Sequence, residues 1–128
     1  MMKFLHTRLR VSDMEASIEF YSRLGFSIGR RSTSPAGNKL AYLEIPDSAH
    51  LLELCWSPEY EVKVPEDLIH TCIGVDDIED YCAQLEAINT PTPISIWPEN
   101  WRASFAHGGL RMAFVTDPDG YEVEILEN

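Results

Sequence analysis

Four side chains of metal-ligand type stand at matching places in this chain: His6, Glu53, His70 and Glu124. Imidazole nitrogens and carboxylate oxygens are the donors that borderline divalent ions accept, and two of each make a credible shell for Zn²⁺, Ni²⁺, Co²⁺ or Fe²⁺. In a six-coordinate arrangement two positions would remain for water or substrate oxygens. An ion held this way acts as a Lewis acid on a carbonyl or enediolate oxygen and lowers the pKa of bound water. Glu53 carries the sharpest signal, because it interrupts the apolar run Leu51-Leu52-Glu53-Leu54-Cys55-Trp56. An ionised side chain facing a dry core is costly unless it is paired or bound to a cation. Taken singly, either histidine also reads as a hydrogen-bonded surface residue, and either glutamate as a solvent-facing residue of an edge strand. Their paired recurrence is what points to a site.

The recurrence follows from an internal repeat. His6-Thr7-Arg8-Leu9-Arg10-Val11-Ser12-Asp13-Met14-Glu15 aligns without a gap on His70-Thr71-Cys72-Ile73-Gly74-Val75-Asp76-Asp77-Ile78-Glu79, with five identities in ten and an offset of 64 residues. Further on, Leu51-Leu52-Glu53-Leu54 aligns with Glu122-Val123-Glu124-Ile125. Glu122 shares a strand face with Glu124, and the alignment favours Glu124 as the donor. Both copies open with the alternation of a half-buried strand. Leu5, Thr7, Leu9 and Val11 oppose His6, Arg8 and Arg10, while Ile69, Thr71, Ile73 and Val75 oppose His70, Cys72 and Gly74.

Helix-start chemistry follows each strand. Ser12-x-x-Glu15 fits a capping box, and Asp76 or Asp77 can cap the second helix. The helices carry inner stripes of Met14, Ser17/Ile18, Tyr21 and Leu24, and of Ile78, Tyr81/Cys82 and Leu85, the first stopping at Gly25. Strands are then expected over 26–31, 39–45 and 50–56, and again over 93–97, 110–116 and 121–126. Asp117-Pro118-Asp119-Gly120 is a strong turn between the last two, and a Pro/Trp-rich loop covers 97–109. Each half therefore reads as βαβββ, with modules over 1–57 and 68–128 and a Pro/Glu-rich linker over 58–67. Neither half has core enough to stand comfortably alone.

Composition bounds the partners. The chain has 128 residues, with 10 Lys and Arg against 21 Asp and Glu, for a formal charge of −11. Such acidity disfavours nucleic acid and anionic membranes as partners, although a few local arginines can still hold a small anionic substrate. No apolar run reaches membrane-spanning length, and charge arrives too early at the N-terminus for a signal-peptide core, so a cytoplasmic location is expected. Cys55, Cys72 and Cys82 form no C-x-x-C pair and read as small apolar residues.

The same residues resemble the vicinal-oxygen-chelate superfamily and, within it, glyoxalase I. The resemblance rests on His6-Thr-x-Leu-Arg10-Val-x-Asp-Met-x-x-Ser17-Ile-x-Phe20-Tyr21, on Leu52-Glu53-Leu54, on Ile69-His70, and on Phe114-Val-x-Asp117-Pro118-Asp119-Gly120-Tyr121-x-Val-Glu124. It implies an α+β fold in which two βαβββ modules form an eight-stranded, open barrel-like sheet around one divalent ion per site, and it implies a homodimer. Nickel or zinc is the expected ion, with cobalt or manganese also compatible. The implied substrate is the hemithioacetal of methylglyoxal and a thiol. Glu124 would take the C1 proton while the ion stabilises a cis-enediolate, and Glu53 would share the role according to substrate hand, to give the 2-hydroxyacyl thioester.

For recognition, Arg10 fits the family's carboxylate-pairing arginine. Trp56, Trp101, His107 and Arg111 are the further substrate-contact expectations. The family's asparagine after the first Glu is absent, and His107 stands where a basic residue is expected before Gly108-Gly109. The thiol therefore stays open between glutathione and another. Two alternatives share the fold: an epimerase or thiol transferase using the same ion, and a metal-free protein that sequesters a drug.

Overall fold

Alternation of polar and apolar residues decides which face each strand buries, and the order of the strands decides which polar residues meet. The structure, a computed structural model, describes residues 1–88, 90–108 and 111–128. These fall into two compact units, Met1–Lys63 and Val64–Asn128.

In the first unit the elements are β1 (His6–Arg10), α1 (Met14–Leu24), β2 (Ser27–Thr33), β3 (Lys39–Glu44) and β4 (Leu51–Trp56). They form a four-stranded sheet in the order β1-β4-β3-β2. β1 runs parallel to β4, and the β4–β3 and β3–β2 pairs are antiparallel. One sheet face carries Leu9, Ala41, Leu43, Leu52 and Leu54, all buried with the inner stripe of α1: Met14, Ile18, Tyr21 and Leu24. The other face carries His6, Arg8, Arg10, Tyr42 and Glu53. The helix cap differs from the capping box expected at Ser12. Asp13 is the N-cap and its carboxylate accepts from Ala16 N at 3.1 Å. The charged Asp meets the first-turn amides one residue later, where the helix dipole also favours it. Gly25 closes the helix in the left-handed region, φ 117°.

The second unit repeats the plan with β5 (His70–Val75), α2 (Ile78–Ala87), α3 (Trp101–Ala106), β6 (Met112–Thr116) and β7 (Glu122–Glu127). The sheet order is β5-β7-β6, with β5 parallel and β6 antiparallel to β7. Asp77 caps α2 by accepting from Asp80 N at 3.0 Å. The strand expected over 93–97 is reduced, among the described residues, to one antiparallel bridge between Trp97 and Phe114, with N–O distances of 2.9 and 2.8 Å. The described sheets thus hold four and three strands rather than eight in all. Pro91, Pro93 and Pro98 explain the loss, since proline cannot donate to a ladder. The 97–109 loop contains the short helix α3 instead of being irregular throughout. The first residue of the strand expected over 110–116 lies outside the described residues.

The turn before β7 is built as its sequence demands. The buried Asp117 carboxylate accepts from Asp119 N and Tyr121 N, both at 2.9 Å, and Gly120 adopts φ 100°. This fixes the phase of β7, and with it the face on which Glu122 and Glu124 stand. Charge is divided unevenly. The first unit has 8 Lys and Arg against 8 Asp and Glu, whereas the second has 2 against 13. The whole excess of acid belongs to the second unit.

Candidate metal centre

Strand register brings one histidine to one glutamate in each unit. In the first, β1 and β4 pair in parallel so that Arg8 is opposite Glu53 and His6 opposite Leu51. His6 reaches along the shared face, and its Nε2 lies 3.4 Å from Glu53 Oε2. In the second, Cys72 is opposite Glu124 and His70 opposite Glu122, and His70 Nε2 lies 3.2 Å from Glu124 Oε2. Each imidazole meets an aromatic ring edge-on, His6 against Tyr42 at 5.7 Å and His70 against Phe114 at 6.2 Å between centroids. Tyr42 is itself opposite Glu53, and Phe114 opposite Glu124. The two half-sites are the same construction made twice.

Their surroundings differ. The Glu53 side chain is 1% exposed and Glu124 is 18% exposed. Burial alone would raise the Glu53 pKa. Hydrogen bonds from the Tyr42 hydroxyl and the Arg8 guanidinium, with the charges of Arg8 and His6, overcome it and hold the carboxyl below its ordinary value. Arg8 Nε donates to Glu53 Oε1, so this oxygen is taken while Oε2 faces His6. Neither Arg8 nor Tyr42 was among the expected site residues. The signal available was Arg8's place between His6 and Arg10 on one alternating face. Tyr42 lies on a strand whose pairing no local pattern declares.

A cleft of about 520 Å³ opens beside His6 and Tyr42, lined also by Arg30 and Glu44. In the second unit a cleft of about 600 Å³ is walled by Trp97, Phe114, Glu66, Glu99 and Glu122. The imidazole of His50 is occupied: it meets Thr7 Oγ1 at 2.9 Å and the Phe4 carbonyl at 3.0 Å.

The expected substrate contacts separate. Arg10 shares the face of His6, donates to Ser57 Oγ at 2.7 Å and lies 4.4 Å from the ring centre of Tyr60. Trp56 falls on the opposite face of β4 from Glu53, where Lys39 covers its ring at 5.0 Å. Trp101 is 2% exposed and donates its indole N–H to Glu86 at 2.9 Å, pinning α3 to α2. Its neighbour Trp97 is 61% exposed and lines the cleft in its place. His107 is exposed at the end of α3. Arg111 is tied to Glu79 at 3.2 Å and Glu127 at 2.9 Å. Strand phase sets it on the helix-covered side of β6, away from Phe114.

Sequence comparison fits this construction. Residues 3–125 match the Glyoxalase/Bleomycin resistance protein/Dioxygenase superfamily. The chain belongs to this superfamily. It is 37% identical over 134 residues to the lactoylglutathione lyase of Haemophilus influenzae, covering 99% of this chain and 93% of that protein. To the probable lactoylglutathione lyase of Vibrio cholerae it is 33% identical over 138 residues, covering 98% and 91%. The solved structure of the trypanothione-dependent glyoxalase I of Leishmania major superposes with a TM-score of 0.77 at 32% identity, covering 99% of this chain and 87% of that one. The superfamily and the α+β class expected from the sequence are thus borne out.

For a glyoxalase-superfamily chain the donor chemistry fits a divalent ion. A carboxylate with one oxygen turned to an imidazole nitrogen is a half-shell, and it is present twice, buried at Glu53 and part-exposed at Glu124. Within either unit, among the described residues, no third His, Cys, Asp or Glu completes a cluster. No helix among the described residues is long and apolar enough to cross a membrane.

Proposed function

We propose that this protein is a metal-dependent enzyme of lactoylglutathione lyase type, isomerising the hemithioacetal of methylglyoxal and a thiol to the 2-hydroxyacyl thioester. The observation that carries the reading is the His–Glu pair built twice on equivalent register positions, in a chain whose full-length relatives are named lactoylglutathione lyase. His6, Glu53, His70 and Glu124 would hold one divalent ion per site, each pair giving half of the donors. Nickel or zinc suits the N/O set, and cobalt or manganese remains compatible. When bound, the ion supplies Lewis-acid stabilisation of the negative charge that develops on the substrate oxygens.

The chain supplies the proton traffic. The Glu124 carboxylate takes the proton from C1 of the hemithioacetal and returns it to C2, while the C1 hydroxyl proton passes to the C2 oxygen, so C1 becomes the thioester carbonyl and the formula is unchanged. Glu53, which is sealed from water and has Oε1 committed to Arg8, serves as a ligand in this reading. Arg10 pairs with a carboxylate of the thiol, and His107, Arg111, Trp56 and Trp101 are the remaining contact positions to test by substitution. The Leishmania major relative is described as trypanothione-dependent, so the thiol screen includes trypanothione beside glutathione. A homodimer and a cytoplasmic location belong to the same reading.

The experiment is thioester formation from methylglyoxal with each thiol, using chelator-stripped protein reloaded with nickel, zinc, cobalt or manganese. Activity restored by at least one ion and abolished by EDTA is the expected result. No thioester with any ion and thiol, from folded protein, overturns the reading. Ligand binding indifferent to EDTA would then favour a sequestering protein.

A further inference from the structure

The two half-sites superpose in plan but not in what surrounds their carboxylates. At the position opposite the glutamate on the parallel strand, the first unit has Arg8 and the second Cys72. At the position opposite it on the antiparallel strand, the first has Tyr42 and the second Phe114. Both donors that grip Glu53 are therefore replaced, at Glu124, by side chains that do not grip. Glu53 has Oε1 committed to Arg8, accepts from the Tyr42 hydroxyl, and is 1% exposed. Glu124 meets His70 on Oε2, is 18% exposed, and has no Lys or Arg ion-pair partner among the described residues.

From this broken symmetry we infer that Arg8 and Tyr42 are positioning residues that lock Glu53 as a static ligand, leaving Glu124 as the carboxylate free to move with a proton. The inference rests on the proposed function. A carboxylate clamped between two donors presents one oxygen in one direction and cannot swing, which suits a ligand. One with an open side can leave and return, which suits a base. Partners behind metal ligands change affinity by about 10–100-fold when removed, so the clamp has a readout that needs no turnover.

The test is a cycle on nickel affinity, measured by calorimetry on chelator-stripped protein with the metal alone. Glu53→Gln and Glu124→Gln are compared first in the wild type and then in Arg8→Met/Tyr42→Phe. In the wild type, Glu53→Gln should weaken nickel at least about tenfold more than Glu124→Gln does. In the unclamped background the two losses should agree to within about threefold, and Arg8→Lys should restore part of the gap. A merely structural role for Arg8 and Tyr42 would lower the melting temperature and leave the gap in place. Should Arg8→Met fail to fold, Tyr42→Phe alone carries the comparison. Equal losses in the wild type, or a gap that survives unclamping, overturns the inference while the proposed function stands. Absence of nickel, zinc, cobalt and manganese binding by folded wild type overturns both.

Discussion

Glu53 and the Cys82 thiol are both sealed from water, and their neighbours treat charge in opposite ways. Burial pushes the Cys82 thiol up to about 11, with the nearby Glu86 adding to it, so this side chain stays neutral and inert. Cys72 is exposed, although burial of its thiol and the charge of Glu124 still raise it. Maleimide at pH 8 should therefore modify one thiol, Cys72, in the native protein and all three after unfolding in urea, read by mass spectrometry. Glu53 is instead held below the ordinary carboxyl value. A carboxyl depressed on folding stabilises the native state above its unfolded value, and that contribution fades as pH falls through the depressed one. Glu53→Gln leaves Arg8 without its anionic partner and should cost about 1–3 kcal/mol at pH 7 in urea unfolding. The deficit should shrink on acidification below the ordinary carboxylate range; a deficit constant from pH 7 to strong acid would contradict it.

Elements hold these residues in phase. Asp13 and Asp77 begin the two helices that follow β1 and β5, and Asp→Ala at either should cost about 1 kcal/mol, seen as a lower urea midpoint with unchanged slope. Trp101 is the bolt between α3 and α2. Its N–H and Arg102 hold the Glu86 carboxyl below its ordinary value. Trp101→Phe keeps most of the apolar volume and removes that donor, so about 1 kcal/mol should be lost. Trp101→Ala opens a cavity and should cost about 3–5 kcal/mol. Much of this level was legible beforehand, because alternation, capping residues and the Asp117–Gly120 turn act over a few residues. Ser12 misled by one position, since Ser and Asp both cap and sit side by side. The 93–97 strand misled because its prolines permit extended backbone while denying it ladder bonds.

Across the molecule, the uneven charge is the dominant fact. With 13 acidic side chains against 2 basic ones, the second unit repels itself, and self-repulsion between exposed charges is screened by salt. Raising sodium chloride from about 10 mM to about 0.5 M should raise the melting temperature, read by differential scanning calorimetry. A falling melting temperature would mean that the ion pairs of Arg102 and Arg111 outweigh the repulsion.

The sequence by itself determined the duplicated plan, the helix and strand types, and the candidates His6, Glu53, His70 and Glu124. Each of these is written in local alternation, in turn chemistry, or in a carboxylate set within an apolar run. Tertiary structure alone decided which oxygen of Glu53 faces His6, that Arg8 and Tyr42 clamp it while Cys72 and Phe114 leave Glu124 open, and that Trp97 rather than Trp101 lines a cleft. The Arg8–Glu53 and Cys72–Glu124 pairings join strands more than forty residues apart in sequence, and Tyr42 and Phe114 reach the same carboxylates from the antiparallel neighbours. A slip of one residue would turn every side chain to the other face, and no local pattern carries that information.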